Sequence, residues 1–332
     1  MAEPIRWGVL GAAKFARDQM GPAIHLARGA RLAALATSSP AKAEAFRAFV
    51  PDLRVHDSYD ALLADPGIDA VYVPLPNDMH VPWTLRALEA GKHVLTEKPL
   101  AMAAEAFDAV IAKRDETGLL AAEAYMIVHH PQWQRARALV QDGAIGPVRE
   151  VQGVFTYDNR ADTGNIRNDP ARGGGGIPDI GVYTYGATRF VTGQEPEEIL
   201  MADIEWENGV DVVARVSARF PGFTAHWVNS MRRHPEQRMA FHGEDGILVL
   251  TAPFNPAIFG EARIELHRNV HGDGGGANVT VERFSSANHY VNQVEAFGRA
   301  IRDGVPYPCP LEFSRGTQEM IDRVFAKAGP AR

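Results

Sequence analysis

The chain has one cysteine, Cys309. It can close no intrachain disulfide, and a reducing compartment, the cytoplasm, is the simplest setting. It also lacks a basic run: Asp and Glu outnumber Lys and Arg by 41 to 34, for a net charge of −7. Nucleic-acid binding needs a basic stripe that displaces counterions, so that class of partner is not expected. No apolar run approaches the roughly 20 residues of a membrane span. The opening MAEPIRWGVLG has no basic segment followed by an apolar one, so no signal peptide and no membrane partner are expected. Nucleophile motifs of the Ser–His–Asp or cysteine type are missing. Metal-ligand spacing is missing too. His129 and His130 are adjacent and point different ways. His130 reads as a wall of the active site or a helix-start residue. His242–Gly246 reads as a hairpin turn. His267, His271 and Asp273 fall in a Gly-rich stretch that reads as a hairpin tip, and no metal is expected there.

What remains is ordinary globular composition, 45% hydrophobic and 23% charged over 332 residues, enough for two cored domains. Up to residue 125, short apolar runs (Ile5–Leu10, Arg31–Ala36, Ala70–Val73, His93–Thr96, Leu119–Ala124) alternate with Ala-rich segments of helical spacing (Ala13–Arg28, Pro40–Phe49, Ser58–Ala64, Met79–Ala90, Ala103–Glu116). Gly29, Gly91 and Gly118 stand where left-handed helix caps belong. This alternation predicts a Rossmann domain over 1–125, a parallel sheet with helices on both faces. Beyond it, helices are predicted at Pro131–Asp142, Pro178–Thr192, His289–Arg302 and Glu312–Ala328. Long β-type runs are predicted at Pro147–Asp158 and from Glu197 to about Phe284. Residues 126–332 thus read as an α+β domain built on an open, mostly antiparallel sheet.

Two segments carry chemistry. The first strand runs into GAAKFA, where a dinucleotide fold places Gly-x-Gly-x-x-Gly. Gly11 keeps the first place, and Ala13 and Ala16 hold the others. Amides near Ala13, Lys14 and Phe15 open the helix that would receive a pyrophosphate. An ordinary strand-to-helix turn explains the same residues. The second strand ends in Thr37, Ser38 and Ser39, followed by Lys42, with no carboxylate until Glu44. Hydroxyls and a lysine suit a 2′-phosphate, so NADP is favoured over NAD, although Ser38 and Ser39 also suit helix capping. The second segment is TEKPLA, 96–101, after the fifth strand. Lys98 falls at the crevice edge, with Pro99 fixing the backbone and allowing a cis bond. In GGGGIPDIGVYTYGATR, Pro178 suits the first helical position, Asp179 the first turn, and Tyr183 the same face four residues on.

IRWGVLGAAKFA, VYVPLPNDMH, EAGKHVLTEKPLA, EAYMIVHHPQ and the Gly-rich helix follow the order and spacing of the Gfo/Idh/MocA oxidoreductases, over essentially the whole chain. Within that family the chain resembles the branch with NADP-dependent D-xylose 1-dehydrogenases and dimeric dihydrodiol dehydrogenases. The resemblance implies catalytic roles for Lys98, Asp179 and Tyr183. It implies a cofactor lining of Pro74, Leu75, Asn77, His80 and Glu97, and substrate contacts from Tyr125, Asn165 and Arg167. It also implies a homodimer or homotetramer formed through the second sheet. Val128 stands where this branch often has Arg, and Asp78 where His is frequent, which leaves the substrate's identity open. The expected reaction moves a hydride between nicotinamide and a sugar-like alcohol or carbonyl, most simply aldose to aldonolactone with NADP. An NAD-dependent glycosidase working by redox elimination and a non-catalytic dinucleotide sensor are the alternatives.

Overall fold

The computed structural model describes residues 3–256, 258–269 and 277–330. The chain divides into two compact units, Met1–His129 with Asn288–Arg315, and His130–Ala287 with Gly316–Arg332.

The first unit is built on six parallel strands: β1 (Ile5–Leu10), β2 (Ala30–Ala36), β3 (Arg54–His56), β4 (Ala70–Val73), β5 (His93–Thr96) and β6 (Ala121–Glu123). Their order is β3-β2-β1-β4-β5-β6. β1 pairs with both β2 and β4, so strand order reverses beside it. Ligands bind at the carboxyl ends of strands at such a reversal. The central strands are largely apolar because helices cover both faces of a parallel sheet; β4 is buried along its whole length. Between strands lie α1 (Gly21–Leu26), α2 (Pro40–Arg47), α3 (Tyr59–Leu63), α4 (His80–Glu89) and α5 (Ala106–Thr117). The predicted strands and helices fall at these places. β3, whose three residues lie at the sheet edge and are all at least partly exposed, was not expected. Before α1, Ala16–Met20 forms a π turn closed by the Gly21 N–H on Ala16 O, where a regular helix was predicted.

The chain returns to this unit late. After α6 (Pro131–Gln141) and α7 (Val182–Thr192) in the second unit comes α8 (His289–Asp303), which packs on the first. Its Phe297 ring lies 5.1 Å from the fully buried Trp7 of β1. Its Glu295 accepts from Arg28 Nε at 3.1 Å.

The second unit holds eight strands: β7 (Val148–Asp158), β8 (Glu198–Glu207), β9 (Val210–Phe220), β10 (Phe223–Ser230), β11 (Arg232–Gly243), β12 (Gly246–Thr251), β13 (Arg263–Asn269) and β14 (Ala277–Arg283). The order is β14-β13-β12-β11-β7-β10-β9-β8. Every pair is antiparallel except β7 with β10. β8 alternates more and less exposed residues along its length, as a strand with one covered face does. α9 (Leu311–Ala328) spans the division between the units. Of the histidine–aspartate group in the Gly-rich hairpin, His271 and Asp273 lie outside the described residues.

Candidate active site

In the first unit the sequence-predicted cofactor residues gather along one edge of the sheet. Gly11 follows β1 with φ +97°. A side chain there would bring its Cβ within 3.0 Å of Leu75 Cδ2 and 3.2 Å of the Tyr59 hydroxyl. Glycine is therefore required on both conformational and steric grounds. Ala13, Lys14 and Phe15 open the helix, whose first N–H to carbonyl bond is Arg17 to Ala13. The amides before it have no helical acceptor, the condition in which a helix start receives an anion. Ala16, at the third glycine place, is fully buried, so its methyl is accommodated. Phe15 meets Tyr290 edge-on at 5.5 Å.

Thr37, Ser38 and Ser39 follow β2. Thr37 Oγ1 accepts from Ser39 N at 3.2 Å, and Ser39 Oγ accepts from Lys42 N at 3.4 Å as the α2 cap. Both hydroxyls keep a proton to donate, and Ser38 and Lys42 are exposed. The capping and phosphate readings of this turn are therefore compatible. This edge fits a dinucleotide with a 2′-phosphate: a steric gap at Gly11, open amides after it, and hydroxyls with an ammonium in place of a carboxylate.

Past β4 come Pro74 and Leu75, then Asn77 at the start of a 3-10 turn (Asn77–Met79). His80 opens α4 and is buried. Its Nδ1 lies 2.8 Å from Pro99 O and its Nε2 2.7 Å from Leu75 O, tying the loop after β4 to the turn after β5. Burial pushes the imidazole's pKa down against those two carbonyls. In that turn the Lys98–Pro99 bond is cis. Glu97 accepts the Tyr72 hydroxyl at 2.6 Å, and Glu123 accepts Leu100 N at 2.8 Å. Burial pushes both carboxyls up, and the nearby Lys98 charge pulls both back. Tyr72 and Glu123 lie at the strand ends of the segments VYVPLPNDMH and EAYMIVHHPQ, but neither was given a role, because each reads as part of an apolar strand run. Tyr125 is buried, its ring 6.2 Å from Phe313. His129 Nε2 lies 3.1 Å from the Tyr307 hydroxyl.

In the second unit, Asp179 and Tyr183 come from one helical run. Its first turn, Ile177–Gly181, is a π turn leading into α7. Four residues complete slightly less than one π turn but slightly more than one α turn. Asp179 Oδ2 accepts the Tyr157 hydroxyl at 2.6 Å and pairs with Arg167 Nε at 2.8 Å. Asp179 holds the half-exposed Arg167 firmly charged, and Tyr183 adds to that effect. Burial, then the Asp179 charge, pushes the Tyr157 hydroxyl well above its usual range. Within its own unit, Asp179 takes Arg167 as a cation partner. Tyr183 is 6% exposed, with Phe155 at 5.8 Å and Phe254 at 5.6 Å. Asn165 accepts from Arg167 N at 3.0 Å and donates to Asp162 at 2.9 Å, so the loop uses both ends of its amide. His130 caps α6, its Nδ1 accepting from Gln132 N at 3.1 Å, the helix-start alternative of the two open to it. Tyr157 gave no sequence signal, being one more aromatic in a β-type run.

Residues 5–125 match the family model for oxidoreductases with an NAD-binding Rossmann fold, and residues 133–249 match the model of the associated C-terminal domain. The chain belongs to the Gfo/Idh/MocA family of oxidoreductases. Other members align along nearly its full length. A dTDP-3,4-didehydro-2,6-dideoxy-alpha-D-glucose 3-reductase from Saccharopolyspora spinosa is 36% identical, over 97% of this chain and 95% of that one. An NADP-dependent D-xylose 1-dehydrogenase from Haloferax volcanii is 32% identical, over 97% of each. The 3-ketoreductase KijD10 from Actinomadura kijaniata, solved with NADP and TDP-benzene, superposes with a TM-score of 0.87 at 29% identity, over 98% of both chains. The Gfo/Idh/MocA relatives therefore include sugar-nucleotide ketoreductases as well as sugar dehydrogenases. Aldose-to-lactone oxidation was too narrow an expectation.

Proposed function

We propose that this chain is an NADP-dependent oxidoreductase that interconverts a hydroxyl and a carbonyl on a sugar, with Lys98, Asp179 and Tyr183 serving the reacting group. The observation that carries the reading is the pairing of a carboxylate and a phenol on one helix start, Asp179 being fixed from two sides by Tyr157 and Arg167. The bound nicotinamide supplies the hydride acceptor or donor. The chain's own task is the proton. Tyr183 gives it to a carbonyl oxygen or takes it from a hydroxyl. A cation beside a phenol favours the ionised form. We assign that part to Lys98, with Arg167 contributing from its own loop. Asp179 accepts a neighbouring hydroxyl and so orients the sugar. The named activities of relatives support a sugar substrate in either direction, the keto sugar of a nucleotide-linked sugar or the anomeric carbon of a free aldose.

The test is a panel of aldoses, inositols, anhydrosugars and nucleotide-linked keto sugars, offered with NADP, NAD and their reduced forms. A substrate-dependent change in NADPH absorbance supports the proposal. A cofactor that binds but shows no net change in redox state overturns it: cleavage of glycosides added to the panel favours the glycosidase, and no reaction at all favours the sensor.

Cofactor choice has its own test. Ser38→Asp places a carboxylate where we assign the 2′-phosphate. The expected result is a loss in NADP affinity of at least about tenfold, equivalent to about 1.4 kcal/mol of like-charge repulsion. NAD affinity should hold or improve. Equal effects on both cofactors by fluorescence titration would remove the 2′-phosphate from this turn.

A further inference from the structure

Asp211 stands at the start of β9, 1% exposed and outside the groups named so far. Its Oδ2 accepts the Ile177 N–H at 2.6 Å, and the Gly176 N–H is a second donor. The backbone comes this close because it is glycine. A Cβ on Gly175, where φ is +133°, would overlap Asp211 Oδ1 outright, and one on Gly174 would sit 2.5 Å from the Arg167 carbonyl. The glycine run is thus wedged between the carboxylate of Asp211 and the loop that carries Arg167. The amides it presents are those a helix start leaves without acceptors, and a negative charge is favoured there. Asp179 and then Tyr183 follow directly along the same helix.

We propose that Asp211 is a positioning residue: by holding the Gly176 and Ile177 amides in its ionised form, it sets the pose of Asp179 and Tyr183. The inference rests on the reading that those two side chains act on substrate.

The helix presents two ionisable groups to Asp211, Asp179 and Tyr185. The residue in register on β8, Trp206, carries no charge. Burial pushes the Asp211 carboxyl up to about 7, against the pull of the Ile177 and Gly176 amides, with Asp179 adding a smaller push. The hold therefore weakens as pH falls through neutrality.

Two measurements test this on the full chain, with Asp211→Asn and Asp211→Ser beside the wild type. The first is hydrogen exchange of peptides spanning residues 174–183, corrected for intrinsic rates, without substrate. The wild type should be protected at pH 8.5 and less so at pH 6, and both variants should lack the pH 8.5 protection. Wild-type protection independent of pH, or full protection in the variants, overturns the hold. The wild-type arm needs no substitution and so does not depend on a variant folding. The second is kcat and KM against pH, using a substrate from the panel. Asp211→Asn should lower kcat by at least about tenfold, as misplacement of reacting groups does. It should also lose the inflection near neutrality and keep the wild-type KM for NADPH. An unchanged inflection in the variant overturns the positioning role. If no sugar reacts even with the wild type, the proposed function fails, while the exchange experiment still decides whether Asp211 holds the helix.

Discussion

Tyr183→Phe should lower kcat by at least about 100-fold, the lower end of what one positioned acid or base contributes. The phenyl ring keeps the contacts with Phe155 and Phe254 that hold Tyr183 in place, so the fold and NADPH binding should be unchanged. Only the proton-bearing oxygen is lost. Single-turnover hydride transfer followed by NADPH absorbance separates this from slow product release. Lys98→Met should give a loss of the same order by a different route, since it removes the ammonium rather than the proton carrier. The double variant should fall well short of the product of the two losses, because groups that act as one unit are not additive. A Tyr183→Phe enzyme within a few-fold of wild type would take this residue out of the mechanism and leave only the family's fold.

The second large effect is on stability in acid. Burial pushes the His129 imidazole from 6.5 down to about 3. A group held neutral in this way contributes stability above its ordinary value and loses it as pH falls. Above about pH 6.5 the imidazole is neutral in folded and unfolded chains alike, and there is no cost. Below that the unfolded chain takes up a proton that the folded chain refuses, at about 1.4 kcal/mol per pH unit. His129→Gln removes the titration and keeps a polar group facing the Tyr307 hydroxyl. The variant should be the less stable protein at pH 8 and should regain about 3 kcal/mol on the wild type by pH 4. Urea denaturation of both at a series of pH values gives this difference free of every other titrating group. A difference that stays constant with pH would show that His129 does not resist protonation in the fold.

Much of this was legible in the sequence where a residue's type dictates its place. Apolar runs marked the strands of the first unit, and Gly29, Gly91 and Gly118 marked where helical segments stop, because a left-handed cap admits little else. Gly11, Lys98, Asp179 and Tyr183 stand where short motifs put them. What stayed hidden depends on distant partners. Arg167 is bonded to Asp179, a partner that a linear reading cannot pair with it. Tyr157 and Asp211 lie in β-type runs, where a polar residue normally faces water, and only the sheet shows them turned inward. The two π turns have compositions that serve an α-helix equally well. β3 is too short and too exposed to show any periodicity.

The late return of α8 limits what can be exchanged among relatives. A graft that moved only residues 1–125 into another member of the family would make Trp7 and Arg28 depend on whatever the recipient carries in place of Phe297 and Glu295. A small side chain in place of Phe297 would leave a cavity against the buried indole, at a cost on the order of 3 kcal/mol, a large share of a typical domain's net stability. A chimera that swaps cofactor preference should therefore carry two segments, the N-terminal portion and residues 288–315, transplanted together from one parent.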